Sequence, residues 1–391
     1  MRALFCSLDA RGFLYPQIGI ALELARSGHE VAFVTNLSFA EELTRLGLPR
    51  VTRSQPDGES FHIQLWGHPV SIAIQREHAA RAILEFRPDV IVTSELAIGP
   101  LLAAQRFALP VVVLGLATLP WPTADELATT AVSPRSRRAR WRRGELDKMI
   151  AAVPGVDRVA ADLGSPLDLA TLYLLQSCPA LTRHAGVALP SHVRLVGDCG
   201  WEPEWSDDDL DAWLESERET SVPLIYGSQG TTFGRSQFWN PLMSAASGGA
   251  FTLCGSYGRA KEISDARTSY GFARRHVPQR RVLAAASAVV SSATSTAVLA
   301  ALVADLPLVL VPAGGEQEDL AELCRELEGV SIIPPEEATL ARLTETIDLV
   351  RTRPGRSWLR DEIRAAGGAR AAAAAIAAVH ARPVALAGGP S

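Results

Sequence analysis

Short apolar runs recur along the chain, each closed by Gly, Pro or a polar cluster and followed by a stretch with helical periodicity. Arg2 to Leu8 reads as a first strand, Asp9 to Pro16 as a loop, and Gln17 to Ser27 as a helix stopped by Gly28-His29. Glu30 to Thr35 is a second strand, so the chain opens as a βαβ unit. Residues 56–87 predict a loop and then a long amphipathic helix ending at Pro88. Pro88 to Glu95 and Val111 to Leu114 follow as strands, and Trp121 to Ile150 as loop then helix. The pattern is fullest from Arg274 to Asp319. There Ala288 to Ser291 predicts a buried strand, and the hydroxyl cluster Ser291 to Thr296 predicts the capped start of a helix over Ala297 to Ala304. Leu306 to Val311 is the next strand, stopped by Pro312 and opened into a loop by Gly314 and Gly315. Two parallel strands joined by one helix put Ser292 to Thr296 and Glu316-Gln317 at one sheet edge, where the positive end of the helix suits a phosphate. Ser357 to His380 predicts one long helix, and 381–391 a loose tail.

At 391 residues the chain exceeds one ordinary core and predicts two domains, which 47% apolar residues suffice to fill. A formal charge of -5 gives no case for nucleic acid. Cys6, Cys178, Cys199, Cys254 and Cys324 are scattered without a C-x-x-C pair, which argues against a disulfide framework or zinc site and for a reduced, cytoplasmic life. No segment approaches a membrane span and the amino end lacks a signal-peptide core, so no integral membrane association is expected. The arginines bunched from Arg135 to Arg143 either attract an acidic acceptor or partner, or form a solvated face balanced by Glu145 and Asp147. A homodimer stays open.

Val277-Pro278-Gln279 with Leu283 beyond, and Pro312 to Gln317 (PAGGEQ), resemble in order and spacing the W-x-P-Q…L and P-x-x-x-D/E-Q segments of a known family. It is the nucleotide-sugar glycosyltransferases of the GT-B fold, specifically the inverting family that decorates natural products. Ser27 to Thr35 (SGHEVAFVT) is similar to that family's R-G-H-E-V-x-F-V-T, Trp213-Leu214 to its WL, and Gly227 to Thr232 to its V-S-x-G-S/T loop. The resemblance covers nearly the whole chain. It implies an α/β, GT-B architecture of two Rossmann-like domains facing across a cleft. An acceptor-binding domain would span 1–200, a linker 201–222, a nucleotide-sugar-binding domain 223–356, and a helix 357–380 would return to the first domain. No cofactor or metal is implied, the nucleotide diphosphate sugar being a co-substrate.

By the same resemblance Thr231, Thr232, Ser292, Thr294, Ser295 and Thr296 would hold the donor diphosphate. His276, Val277 and Gln279 would lie at the base and ribose, and Glu316 and Gln317 at the sugar hydroxyls. An imidazole at 276 stacks with less area than an indole, while a carboxylate beside an amide offers acceptors and donors to adjacent hydroxyls. The chain departs from the family pattern in five places, of which His276 for tryptophan is one. Phe13 stands where the family has its catalytic His or Asp, and Ser94 where an Asp at the end of the fourth strand orients that His. Ser292 to Ala297 replaces H-G-G-x-G-T, and Asp305 replaces a glycine. Phenylalanine accepts no proton. Asp9 and Glu95, acids at predicted strand ends, are either replacement bases or capping carboxylates. Phe13, Trp66, His68 and Ser94 would line the acceptor pocket. The implied activity is inverting transfer of a sugar from a nucleotide diphosphate donor to a small-molecule acceptor of secondary metabolism. Without a base at position 13 the acceptor would be a thiol or thione, an amine, a carboxylate or an acidic phenol, nucleophiles that need little deprotonation. Two other readings stay open: a catalytically silent relative that binds a sugar nucleotide or activates a partner transferase, and a sugar-nucleotide epimerase of the same fold.

Overall fold

The computed structural model describes residues 1–52, 60–128, 133–156, 164–183, 188–204, 207–231, 236–353 and 355–380. Thr232 and the 381–391 tail lie outside the described residues. The first half supplies strands β1 (Arg2–Cys6), β2 (Glu30–Val34), β3 (Val90–Ser94), β4 (Val111–Leu114), β5 (Leu172–Leu175) and β6 (Val193–Leu195). The second supplies β7 (Leu224–Ser228), β8 (Thr252–Ser256), β9 (Ala266–Arg267), β10 (Gly271–Arg274), β11 (Ala288–Ser291), β12 (Leu308–Leu310) and β13 (Val330–Ile332). They form two sheets, ordered β2-β1-β3-β4-β5-β6 and β13-β12-β11-β7-β8-β10-β9. Every pairing is parallel except that of β9 with β10.

The strands are short and nearly uniformly apolar because helices cover both faces of each sheet, which leaves no solvated side to alternate with. In the first sheet Leu4 and Cys6 face one core, while Phe5 and Phe33, stacked with ring centroids 5.0 Å apart, face the other. In the second sheet Tyr226 and Val289 pack on one face and Ile225 and Val290 on the opposite one. The direction in which successive strands are added reverses between β1 and β3 in one sheet and between β7 and β11 in the other. Such switch points open a crevice at the carboxyl ends of the strands, and this is where ligands bind in open parallel sheets.

Three expected elements come out differently. The first helix runs Arg11–Arg26, beginning well ahead of Gln17, with Phe13 and Leu14 amides bonded to the Ala10 carbonyl. Phe13 therefore rides on a helix end and not on a loop. Val90–Ser94 is the third strand and not the fourth, since 37–45 forms the helical turns Leu37–Phe39 and Ala40–Arg45, and Arg50 makes only an isolated bridge to Phe33. The 357–380 stretch is two helices, Ser357–Ala365 and Gly368–His380, broken where Gly367 and Gly368 take φ of 91° and 57°. The bend lets the first pack near the helix Ser295–Val303 while the second crosses back onto Arg11–Arg26, burying Ala372 and Ile376 in the core of the first sheet.

Candidate active site

A cleft with a cavity volume of about 150 Å³ lies between the two carboxyl edges. Arg11, Phe13 and Leu116 line it from the first half, and Asp198 and Glu202 from the crossing. Thr231, His276, Val277, Gln279, Thr294, Ser295, Thr296 and Glu316 line it from the second. The amino ends of two helices meet here: a Cβ added to Gly12 would stand 3.9 Å from Thr296 Cγ2. The second helix begins at Ser295 with Thr294 at its N-cap position. The expected side-chain cap is missing, and its first turn carries no acidic residue. That leaves the partial positive charge of this end uncompensated by its own side chains. The loop after β7 comes up close against it. Gly230 has φ of 74°, and a Cβ there would stand 2.5 Å from Thr294 Cγ2, so only glycine fits.

Two of the expected donor ligands face elsewhere. Ser292 is buried and its hydroxyl donates to the Gln229 carbonyl at 2.7 Å, tying the β7 and β11 loops together. Gln317 is fully buried, its Oε1 accepting from the Ala313 amide at 2.9 Å. It shapes the turn ahead of Glu316 and does not line the cleft. Ser295 lines the cleft, yet its Oγ also accepts from the Ala117 amide of the first half at 3.1 Å. A hydroxyl accepting from that amide keeps its own proton free to donate.

His276 is held neutral. Burial, with Arg11 and Arg275 nearby, pushes its imidazole down to about 3. A neutral ring suits stacking on a base and repels no cation. The neighbouring helix Gln279–Leu283 is capped from the crossing segment, where Glu202 accepts from the amides of Gln279 at 2.9 Å and Arg280 at 3.0 Å. Gln279 Nε2 donates to the Thr296 carbonyl at 3.3 Å, joining this loop to the 295–303 helix.

The residues expected on the acceptor side separate. Phe13 lines the cleft and packs into the first core. Asp9 does not line the cleft; its carboxylate accepts from Asn36 Nδ2 at 3.0 Å and the Ile63 amide at 3.1 Å, and so ties three loops together. Glu95 is buried behind the cleft, accepting from the Tyr173 hydroxyl. Burial outweighs that bond and raises its carboxyl to about 8, with Glu316 adding to the rise and Arg142 opposing it. Bonded to Tyr173 and absent from the cleft lining, it is out of reach of an acceptor proton. Ser94 is buried, and among the described residues its Oγ has no hydrogen-bond partner. Trp66 packs against the first core and His68 is exposed at the start of the helix Pro69–Phe86, neither lining the cleft.

The expectation of a helix face balanced by Glu145 and Asp147 describes the arginine cluster only in part. The cluster lies on the helix Pro134–Ala151, where Arg135 pairs with Glu126 at 3.1 Å and Arg143 with Asp147 at 2.9 Å. Arg138 and Arg142 cross to the other half and share the buried carboxylate of Asp319. Sequence reasoning also missed Arg11, Asp198, Glu202 and Arg280, all on the cleft wall. Arg11 could have been found from its place beside Gly12-Phe13; the others carry no local motif.

No family model matches the chain. Among solved structures, the glycotransferase of kitacinnamycin superposes with a TM-score of 0.71 over 97% of this chain and 98% of that one, at 20% identity. The chain has the GT-B fold. The Streptomyces sp. SF2575 glycosyltransferase SsfS6, complexed with thymidine diphosphate, superposes with a TM-score of 0.62 over 97% of this chain and 99% of that one, at 18% identity. Among curated proteins, the NDP-glycosyltransferase YjiC of Bacillus subtilis is 22% identical over 406 aligned positions, 95% of each chain. The uncharacterized UDP-glucosyltransferase YojK of the same organism is 28% identical over 161 positions, so the match spans 40% of that relative's length.

Proposed function

We propose that the protein transfers a sugar, with inversion, from a nucleoside diphosphate sugar to a small-molecule nucleophile. The observation that carries the reading is the opposition, across one cleft, of an uncapped helix end fringed by Thr231, Thr294, Ser295 and Thr296 with an apolar wall at Phe13. The likeness to proteins named as nucleotide-sugar glycosyltransferases, one of them complexed with thymidine diphosphate, supports it.

In this reading the base packs on neutral His276 and Val277, and the diphosphate lies at the amino end of the 295–303 helix. Glu316 accepts from sugar hydroxyls. The acceptor approaches from the side of Phe13, and its lone pair forms the new bond at the anomeric carbon. The bond from that carbon to the phosphate oxygen breaks, and its electron pair leaves with the diphosphate. The developing charge meets the helix end and the hydroxyls, already oriented before the reaction. Any proton on the nucleophile passes to solvent or has gone beforehand, because Phe13 cannot take it. Thiols, amines, carboxylates and acidic phenols satisfy that condition.

The test is calorimetry with uridine, thymidine and guanosine diphosphates, followed by NMR of the product made from an α-linked donor. Binding of at least one diphosphate and a β-linked product are expected. An α-linked product would overturn the inverting mechanism, and binding of none of the three would overturn the donor assignment.

A further inference from the structure

The turn that presents Glu316 is held from the opposite half of the molecule. Arg142, on the helix Pro134–Ala151 of the first half, donates from Nη2 to the Gly315 carbonyl at 2.9 Å and from Nη1 to Asp319 Oδ2 at 2.6 Å. These two acceptors flank Glu316, one just before it and one a turn later in the helix Glu316–Leu323. Arg138 contributes a second arm, donating to Asp319 Oδ1 from Nε at 2.9 Å, but it makes no bond to Gly315. The Asp319 side chain is only 4% exposed and that of Arg142 14%, so the Asp319 arm is largely shielded from water and salt, while the arm to Gly315 lies at the surface. A guanidinium reaches both acceptors at once because its donors form a rigid planar fork, which an ammonium lacks.

We infer that Arg142 is a positioning residue for the donor sugar: it fixes the Gly315-Glu316 turn from across the cleft, so that the sugar subsite is complete only when the two halves are closed on each other. The claim rests on the proposed transferase reading and adds to it the residue that makes sugar recognition depend on closure. The groups facing Arg142 fit the role. Glu316 and Glu95 both have carboxyls raised by burial and drawn back down by Arg142, while Asp319 is its direct partner. The resemblance to known transferases gives no hint of it, since the arginine belongs to a charge cluster and not to a motif.

The experiment compares R142Q, R142K and R138Q with the wild type, using calorimetry against thymidine and uridine diphosphates and their glucose conjugates. Amide hydrogen exchange over residues 313–319 is measured in the absence of ligand. R142Q should lose about tenfold in affinity for the glucose conjugate and less than about twofold for the bare diphosphate, because Arg142 acts through a residue that touches only the sugar. R142K should fall between, and R138Q should keep the ratio of the two affinities near that of the wild type. Exchange at Gly315 to Gln317 should quicken in R142Q and much less in R138Q. Equal weakening of both ligands in R142Q, or equal exchange in the two glutamine variants, would reduce Arg142 to a general interface contact and overturn the inference. Failure of the wild type to bind any of the four nucleotides would instead sink the transferase reading together with the sugar role. The exchange comparison would still decide whether Arg142 holds the turn.

Discussion

Ala293 and Asp305 stand at positions where the resembled family carries glycine, and both keep a left-handed backbone, with φ of 63° and 58°. The two manage the strain differently. Aspartate tolerates this region better than most residues, and Asp305 Oδ1 is also bonded by the Arg356 amide. Alanine has no such partner. Replacing Ala293 by glycine relieves about 1–2 kcal/mol of left-handed strain against about 0.5–1 kcal/mol of added unfolded-state entropy. Losing this fully buried core methyl costs about a further 0.8 kcal/mol, so A293G should stay within about 1 kcal/mol of the wild type, read as a nearly unchanged urea midpoint at unchanged slope. Glu95 gives a pH prediction. Its folded value is about 8 and its ordinary value 4.5, so between these limits the folded chain holds a proton that the unfolded chain has released. Stability from this group is full below about 4.5 and is lost as pH rises toward 8. E95Q, which mimics the protonated acid, should gain stability over the wild type progressively across that window. It should keep transfer within about threefold, a change of ~0.7 kcal/mol in barrier. Abolished transfer in a folded E95Q would make Glu95 the base after all.

The loop after β7 and the 295–303 helix touch through Gly230. G230A must place a Cβ 2.5 Å from Thr294 Cγ2 and adopt a left-handed conformation, so loop and helix end must separate. A loss of at least about tenfold in nucleotide affinity is expected, equivalent to ~1.4 kcal/mol, and titration against the nucleotide that the wild type binds measures it. Affinity equal to the wild type's would show that this contact does not shape the site. What the chain discloses of its elements follows from periodicity. The strands announced themselves as apolar runs because parallel sheets are buried on both faces, and the loops at their carboxyl ends followed from the βαβ pattern. Three things stayed hidden. The Arg11–Arg26 helix begins early because backbone bonding to Ala10 overrides the Gly and Pro signals of Gly12 and Pro16. Ser292 and Gln317 sit where the motifs predict, but the direction in which a side chain points depends on tertiary partners, here Gln229 and Ala313. The arginine cluster read as surface charge because its partner Asp319 lies 177 residues from Arg142.

Taken as a whole, the molecule is two parallel sheets whose switch points face each other, joined at the cleft by the Ser295–Ala117 bond and the Asp319 clamp, and behind it by the returning helix Gly368–His380. The donor wall keeps hydroxyls, a helix end and Glu316, while the acceptor wall presents Phe13. Chemistry that depends on such a pair of walls should be limited by the acceptor's own acidity and not by the enzyme's ability to remove a proton. The most direct measurement is single turnover with a saturating sugar nucleotide and two acceptors of matched shape, one a thiol and one an unactivated alcohol. Glycosylated thiol and free nucleoside diphosphate should appear in equal amounts, and faster than the alcohol product. Faster transfer to the alcohol, or no sugar nucleotide entering the cleft, would contradict the proposed chemistry.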